Sequence, residues 1–195
     1  MLKFKKIKGN LIHETAIINW KKLDIGKNNI IGPYVVIGNR AQHPNAKSVG
    51  KIYIGNNNIF NEYCNVHLPT IISKITSIGS NNYFMSSTTI DHDCFIEDQV
   101  VLSSGVILGG NVHVMKGAQL GIRSSIHQNQ IIGSYSIIGM NTTVTKKLKV
   151  VPGFKFYGKP ARKKSKNKLA LKRNKIDNNE LQKEINRFKG LIKND

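Results

Sequence analysis

Cysteine is nearly absent: Cys64 and Cys94 are the two thiols in 195 residues, too few for a disulfide-stapled scaffold. No uninterrupted apolar run approaches the roughly 18 residues of a membrane span, so no transmembrane segment is expected. The first stretch, MLKFKKIKGNLIHETAII, is basic but lacks the apolar core and small-residue cleavage site of a secretory signal. A cytoplasmic location is therefore expected. No H-x4-H pair is present, which argues against a zinc site of the carbonic anhydrase type. Acidic residues are scarce too, with 11 Asp+Glu against 30 Lys+Arg and a net charge of +19. A field of that sign draws polyanions: nucleic acid, phosphorylated cofactors, nucleotide sugars or an acidic carrier protein. Much of it is equally readable as solvated basic surface. Thirteen of the 30 basic residues lie in the last 38 positions, and no DNA- or RNA-binding motif accompanies them. Nucleic acid is thus not the expected partner.

What the chain has in plenty is a period. Stepping by six from Ile54 through Phe60, Val66, Ile72 and Ile78 to Val150 and Phe156 meets Ile, Leu, Val or Phe at eighteen consecutive positions. A second column, two residues earlier, is mostly small: Cys64, Thr70, Thr76, Thr88, Cys94, Val100, Val106 and onwards, interrupted at Asn82 and Gln130. Glycine repeatedly follows the large residue, as at Gly55, Gly79, Gly109 and Gly121, and reads as a turn-permissive corner. Period six does not track the 3.6 residues of a helical turn, and β-branched residues dominate. The pattern predicts an all-β fold, a left-handed parallel β-helix of hexapeptide repeats with three hexads per coil.

The same phase appears earlier at Ile25, Ile31 and Ile37, with Ile12 and Ile18 one residue out of step. Between Ile37 and Ile54 the repeat breaks, and residues 39–51 (NRAQHPNAKSVGK) are expected as an extruded loop, a usual place for binding. The β-helix is assigned to residues 1–157 and a basic, helical C-terminal extension to 158–195. Within that extension Leu181, Ile185, Phe188 and Ile192 make one apolar helical stripe. Asp177, Asn178 and Asn179 are the candidate N-caps. The helix is expected to cap the open end of the stack.

With 18 residues per coil, positions 18 apart stack at about 4.8 Å. One such column reads Lys74, His92, Gly110 and Gln128. An imidazole there is suited to accept a proton near neutral pH. A glycine one coil on lets its N–H approach a developing oxyanion. A carboxylate beside the ring fixes its tautomer; Asp91 and Asp93 both qualify, and Asp93 is preferred. Gln128 is suited to an acceptor or donor amide. His13, His43, His67 and His113 are read as non-catalytic, and both cysteines as buried filling.

The segments TTIDHDCFIEDQVVLSSGVILGGNVHV and QLGIRSSIHQNQIIGSYSIIGMNTTV resemble the hexapeptide-repeat acyltransferases, above all those that acylate UDP-N-acetylglucosamine in lipid A synthesis. The likeness runs from about Ile12 into the tail, where GKPAR…NKLALKRN carries an N-x5-R pair. It implies catalytic roles for His92 as general base, Asp93 as its partner and Gly110 as oxyanion donor. It implies substrate contacts for Gln128, Asn167, Arg173 and Asn111. Thr89 and Asn111 stand where the family has histidines, and Gln42 and Pro44 where the early loop has an acid and a lysine. The function implied is transfer of an acyl group from a thioester to a hydroxyl or amine of a UDP-linked amino sugar. Acyl carrier protein or coenzyme A would be the co-substrate, with no permanently bound cofactor, in a homotrimer. An acetyl-CoA-dependent sugar acetyltransferase of surface polysaccharide synthesis, and a basic scaffold or nucleic-acid-binding protein, are the alternatives.

Overall fold

A computed structural model describes residues 3–71 and 74–193. Short strands wind into a left-handed parallel β-helix whose three sheets have ten, seven and six strands. Most strands are two residues long, one side chain in and one out. The inward column of large apolar residues runs from Ile12 to Phe156, half-buried at Ile18 and Ile25 and buried at its other described positions. Coil follows coil at the expected 18, as in the pairing of Ile78, Ile96, Val114 and Ile132 along the six-stranded sheet.

The turns differ from the sequence reading. The left-handed residue stands three positions after the large apolar one, as at Asp93, Asn111 and Asn129 (φ 61°, 59° and 58°). The glycine directly after that residue answers a different demand, close approach of the next coil. A Cβ on Gly109 would lie 2.8 Å from the Gln128 backbone nitrogen.

Three coils depart from 18. Ile18 pairs with Ile37, 19 positions on, because the one-turn helix Trp20–Lys22 takes an extra residue; this explains the early phase slip. Ile25 pairs with Ile54 across the loop at 39–51. Ile54 then pairs with Ile78, 24 positions on, so a second loop is extruded around residues 68–74. Its added length equals one hexad, and the six-residue phase therefore runs through it unbroken. Thr70 is accordingly not an inward column residue. Lys74 is not stacked under His92; that place belongs to Leu68, since Ile90 pairs with Val66. Ile72 lies outside the described residues.

At the corner between the six- and ten-stranded sheets the inward column is polar over its first coils. Asn10, Asn29, Asn58 and Asn82 are all buried. Each Oδ1 accepts the backbone N–H of the next asparagine, and those of Asn10 and Asn29 also accept its Nδ2–H, at 2.8–2.9 Å. Asn82 ends the ladder by accepting from Val100 N–H at 2.7 Å, which accounts for the interruption seen in the sequence.

The outward face of the ten-stranded sheet is apolar. Leu11, Ile30, Ile59, Tyr83 and Val101 lie side by side on consecutive coils, and Ile137 follows beyond Gln119. Antiparallel strands close this sheet at both ends, Phe4–Ile7 on Asn10–His13 and Arg162–Lys166 on Phe154–Tyr157. The segment from 158 on thus opens with a strand before its helices, α1 (Lys168–Arg173) and α2 (Asn178–Lys193). Asp177 Oδ1 accepts from Glu180 N–H at 2.8 Å while Glu180 Oε2 accepts from Asp177 N–H, a capping box. Leu181 and Phe188 are buried as the stripe predicts. Rather than plugging the open end, α2 lies along the six-stranded face, where Arg187 pairs with Glu97. Among the described residues no helix is long and apolar enough to cross a membrane.

Candidate active site

His92 sits in the turn between the seven- and six-stranded sheets and is 9% exposed. Its Nδ1 lies 2.8 Å from Asp93 Oδ2. A carboxylate only accepts, so Nδ1 carries the proton and Nε2 keeps its lone pair. Asp93 reaches the ring because its own backbone is left-handed, which turns the side chain back along the corner. Thr70 then anchors the carboxylate, its N–H donating to Oδ1 at 3.0 Å and its Oγ1 to Oδ2 at 2.8 Å. The Asp93 N–H donates to Thr76 Oγ1 at 3.0 Å, and Lys74 Nζ lies 3.9 Å from Oδ2.

Asp91, the other candidate partner, does something else. Its Oδ1 accepts the backbone N–H of His92 at 2.8 Å and Nδ1–H of buried His67 at 3.0 Å. Burial pushes the Asp91 carboxyl up, but these hydrogen bonds outweigh it and hold it below the usual range. Asp93 therefore orients the ring and Asp91 orients the main chain beneath it.

Gly110 lies one coil beyond His92. A Cβ there would fall 2.2 Å from His92 Cε1 and 2.5 Å from Nε2, so only glycine leaves the ring its place. Among the described residues the Gly110 N–H donates to no other group. Asn111 is exposed on the same corner, its Nδ2 donating to Asn129 Oδ1 at 2.8 Å. It borders a cleft of about 180 Å³ that Asp93, Phe95 and, from α2, Leu191 also line. Gln128 is exposed one coil further on.

His92, Asp93, Gly110, Asn111 and Gln128 thus share one corner. Asn167 and Arg173 do not. Asn167 is fully buried, donating from Nδ2 to Tyr135 O at 2.9 Å and accepting Ala170 N–H to cap α1. Within this chain both ends of its amide are engaged in anchoring the tail. Arg173 ends α1, exposed, and forms no ion pair among the described residues. Tyr135 belongs to the turn between the six- and ten-stranded sheets, one corner away from His92.

Two histidines set aside in the sequence stand at the site. His67 supports Asp91, and the exposed His43, from the loop at 39–51, faces His92 with ring centroids 5.8 Å apart and planes at 79°. Thr70 was likewise missed, its phase having placed it inside. A histidine in the loop beside the broken repeat was the available signal for His43. His113 instead pairs with Glu97 at 2.6 Å, where burial pushes the Glu97 carboxyl up but hydrogen bonds from His113 and Arg187 bring it below its ordinary value. Cys64 and Cys94 are free and buried, and burial pushes both thiols up to about 12, which keeps them out of nucleophilic chemistry. No set of three metal-ligating side chains converges among the described residues.

The Burkholderia lata acyl-[acyl-carrier-protein]–UDP-N-acetylglucosamine O-acyltransferase is 34% identical over 117 residues, 59% of this chain and 45% of the relative. The Gloeothece citriformis enzyme of the same name is 28% identical over 159 residues, covering 81% of this chain and 57% of its own length. Among solved structures, the Arabidopsis UDP-N-acetylglucosamine acyltransferase superposes with a TM-score of 0.79 at 27% identity, covering 90% of this chain and 68% of that one. In sequence and in fold this chain is similar to the hexapeptide-repeat acyltransferases. The Moraxella catarrhalis family member matches with a TM-score of 0.68 at 28% identity, over 84% of this chain and 77% of that structure. No family model matches the chain. The chain spans about half the length of the curated family members it matches.

Proposed function

We infer that this hexapeptide-repeat protein transfers an acyl group from a thioester to a UDP-linked amino sugar. The carrying observation is the His92–Asp93 pair, 2.8 Å apart, with the Gly110 backbone packed against the same ring. His92 Nε2 takes the proton of the acceptor hydroxyl or amine as that atom attacks the thioester carbonyl carbon. The Gly110 N–H, unclaimed by another described group, receives the negative charge on the carbonyl oxygen. Collapse of the tetrahedral intermediate breaks the C–S bond, and the proton held by His92 passes to the departing sulfur. Asp93 stabilises the imidazolium between these steps without taking the proton.

The donor is the thioester of acyl carrier protein or coenzyme A; the relatives' names include an acyl carrier protein, and the +19 charge suits either. Gln128 and Asn111 line the approach for substrate amides. Arg173, one corner away, meets the same ligand when a second β-helix stands beside the first. The apolar outer column of the ten-stranded sheet supports such an assembly, a homotrimer with sites in the grooves between subunits.

The test measures thiol release with UDP-N-acetylglucosamine and related amino sugars, comparing acetyl-CoA with 3-hydroxyacyl carrier protein. His92→Ala is expected to lower kcat on the order of 10²–10⁴-fold with the circular dichroism spectrum unchanged. Release from the carrier-protein donor alone supports lipid A-type chemistry; release from acetyl-CoA alone moves the assignment to surface-sugar acetylation. Near-normal turnover by His92→Ala would sink the mechanism.

A further inference from the structure

We propose that His43 is a second acceptor-binding imidazole, a hydrogen-bond donor held opposite the His92 base, which selects acceptors bearing an accepting oxygen next to the nucleophile. The inference rests on the acyl-transfer reading above and adds to it which side of the acceptor is recognised.

Three observations carry it. The first is tautomer. His43 Nδ1 accepts the backbone N–H of Asn45 at 3.3 Å, so the neutral ring carries its proton on Nε2. His92 has the opposite arrangement, Nδ1–H to Asp93 and a bare Nε2. The two neighbouring rings therefore offer one nitrogen that takes a proton and one that donates.

The second is spacing. With centroids 5.8 Å apart and planes at 79°, the rings do not hydrogen-bond one another. The two rings meet edge to face, so a ligand engaging the His92 ring lies beside the His43 ring at their shared rim. A hydroxyl giving its proton to His92 and a neighbouring carbonyl, hydroxyl or carboxylate oxygen accepting from His43 satisfy both rings at once.

The third is rigidity. The loop at 39–51 is fastened to Thr70, whose carbonyl accepts Lys47 N–H at 2.9 Å and Ser48 N–H at 3.1 Å. Within the loop Ala41 N–H donates to Ser48 Oγ at 3.0 Å and Ala46 N–H to His43 O at 3.0 Å. Thr70 also anchors Asp93. One residue thus indexes the His43 loop and the His92 dyad to each other, the preorganisation that two-point recognition requires. The sense of His43 matters as well. A carboxylate at position 43 would only accept from the ligand, whereas the neutral imidazole donates from Nε2.

The experiment has two readouts. In the free protein, imidazole ¹⁵N shifts are expected to give the Nε2–H tautomer for His43 and Nδ1–H for His92; Nδ1–H on His43 overturns the proposal. In steady-state assays with saturating thioester, His43→Ala is expected to lower kcat/KM for the acceptor about 10- to 100-fold and leave the thioester KM unchanged. His43→Gln, whose amide also donates, should recover most of the loss, and His43→Leu, similar in bulk, should not. Acceptor kinetics untouched in His43→Ala, or Gln no better than Leu, overturn the role of His43 while His92-dependent turnover stands. A wild type inert with every amino sugar and both donors overturns the acyl-transfer reading, and His43 falls with it.

Discussion

Thr70 makes more contacts at the site than its size suggests. Its amide and hydroxyl hold both oxygens of Asp93, and its carbonyl holds the neighbouring loop. Thr70→Val keeps the shape and the amide but removes the charge-assisted Oγ1 bond. The Asp93 carboxylate then swings more freely and the His92 ring with it. A fall of about tenfold in kcat is expected, with substrate KM values near wild type and Thr70→Ser restoring the rate. A structural defect alone would instead lower the melting temperature and leave the serine variant as impaired as the valine. The clustering of His92, Asp93 and Gly110 was legible in the sequence because the three lie within one hexad and its 18-residue neighbour. His67, His43 and Thr70 were not, because their approach depends on where two loops leave the prism.

Elements of two residues cannot stand alone; each coil is stable only against its neighbours, through the inward column and the corners. Over the first coils the asparagine ladder adds side-chain amides to this stacking. Asn58→Ala would strip the buried acceptor from the Asn82 N–H and one of the two donors from Asn29 Oδ1. A loss of about 1–3 kcal/mol is expected, read as an earlier midpoint in urea unfolding followed by circular dichroism. An unchanged midpoint would mean the ladder is energetically idle. The hexad itself was readable from sequence because burial alternates with a fixed period. The loop around 68–74 was invisible for the same reason: a period reports phase, and an insertion of one hexad leaves phase intact. The strand pairings reveal it, Ile54 with Ile78 and Val66 with Ile90. The tail gave up its amphipathic helix, whose stripe is local, but not the strand Arg162–Lys166, whose run of lysines has no alternation and whose partner is Phe154–Tyr157.

At the scale of the whole molecule, a chain with +19 net charge presents an apolar outer ladder along the middle of one sheet, with basic residues at that sheet's two ends. Uncovered, that ladder is an association surface. Tyr83→Lys, in the middle of it, is expected to turn the proposed trimer into a species sedimenting near the 21.8 kDa of one chain. A wild type that already sediments at that mass would refute the trimer. The asparagine ladder has its own consequence at this scale. Every Oδ1 acceptor belongs to the earlier coil, and every donor that uses it belongs to the later one. Because a chain emerges from the ribosome amino end first, each rung is synthesised after the site that receives it. The stack thus carries a polarity of assembly, in which a coil without its predecessor holds an amide with nothing to grip.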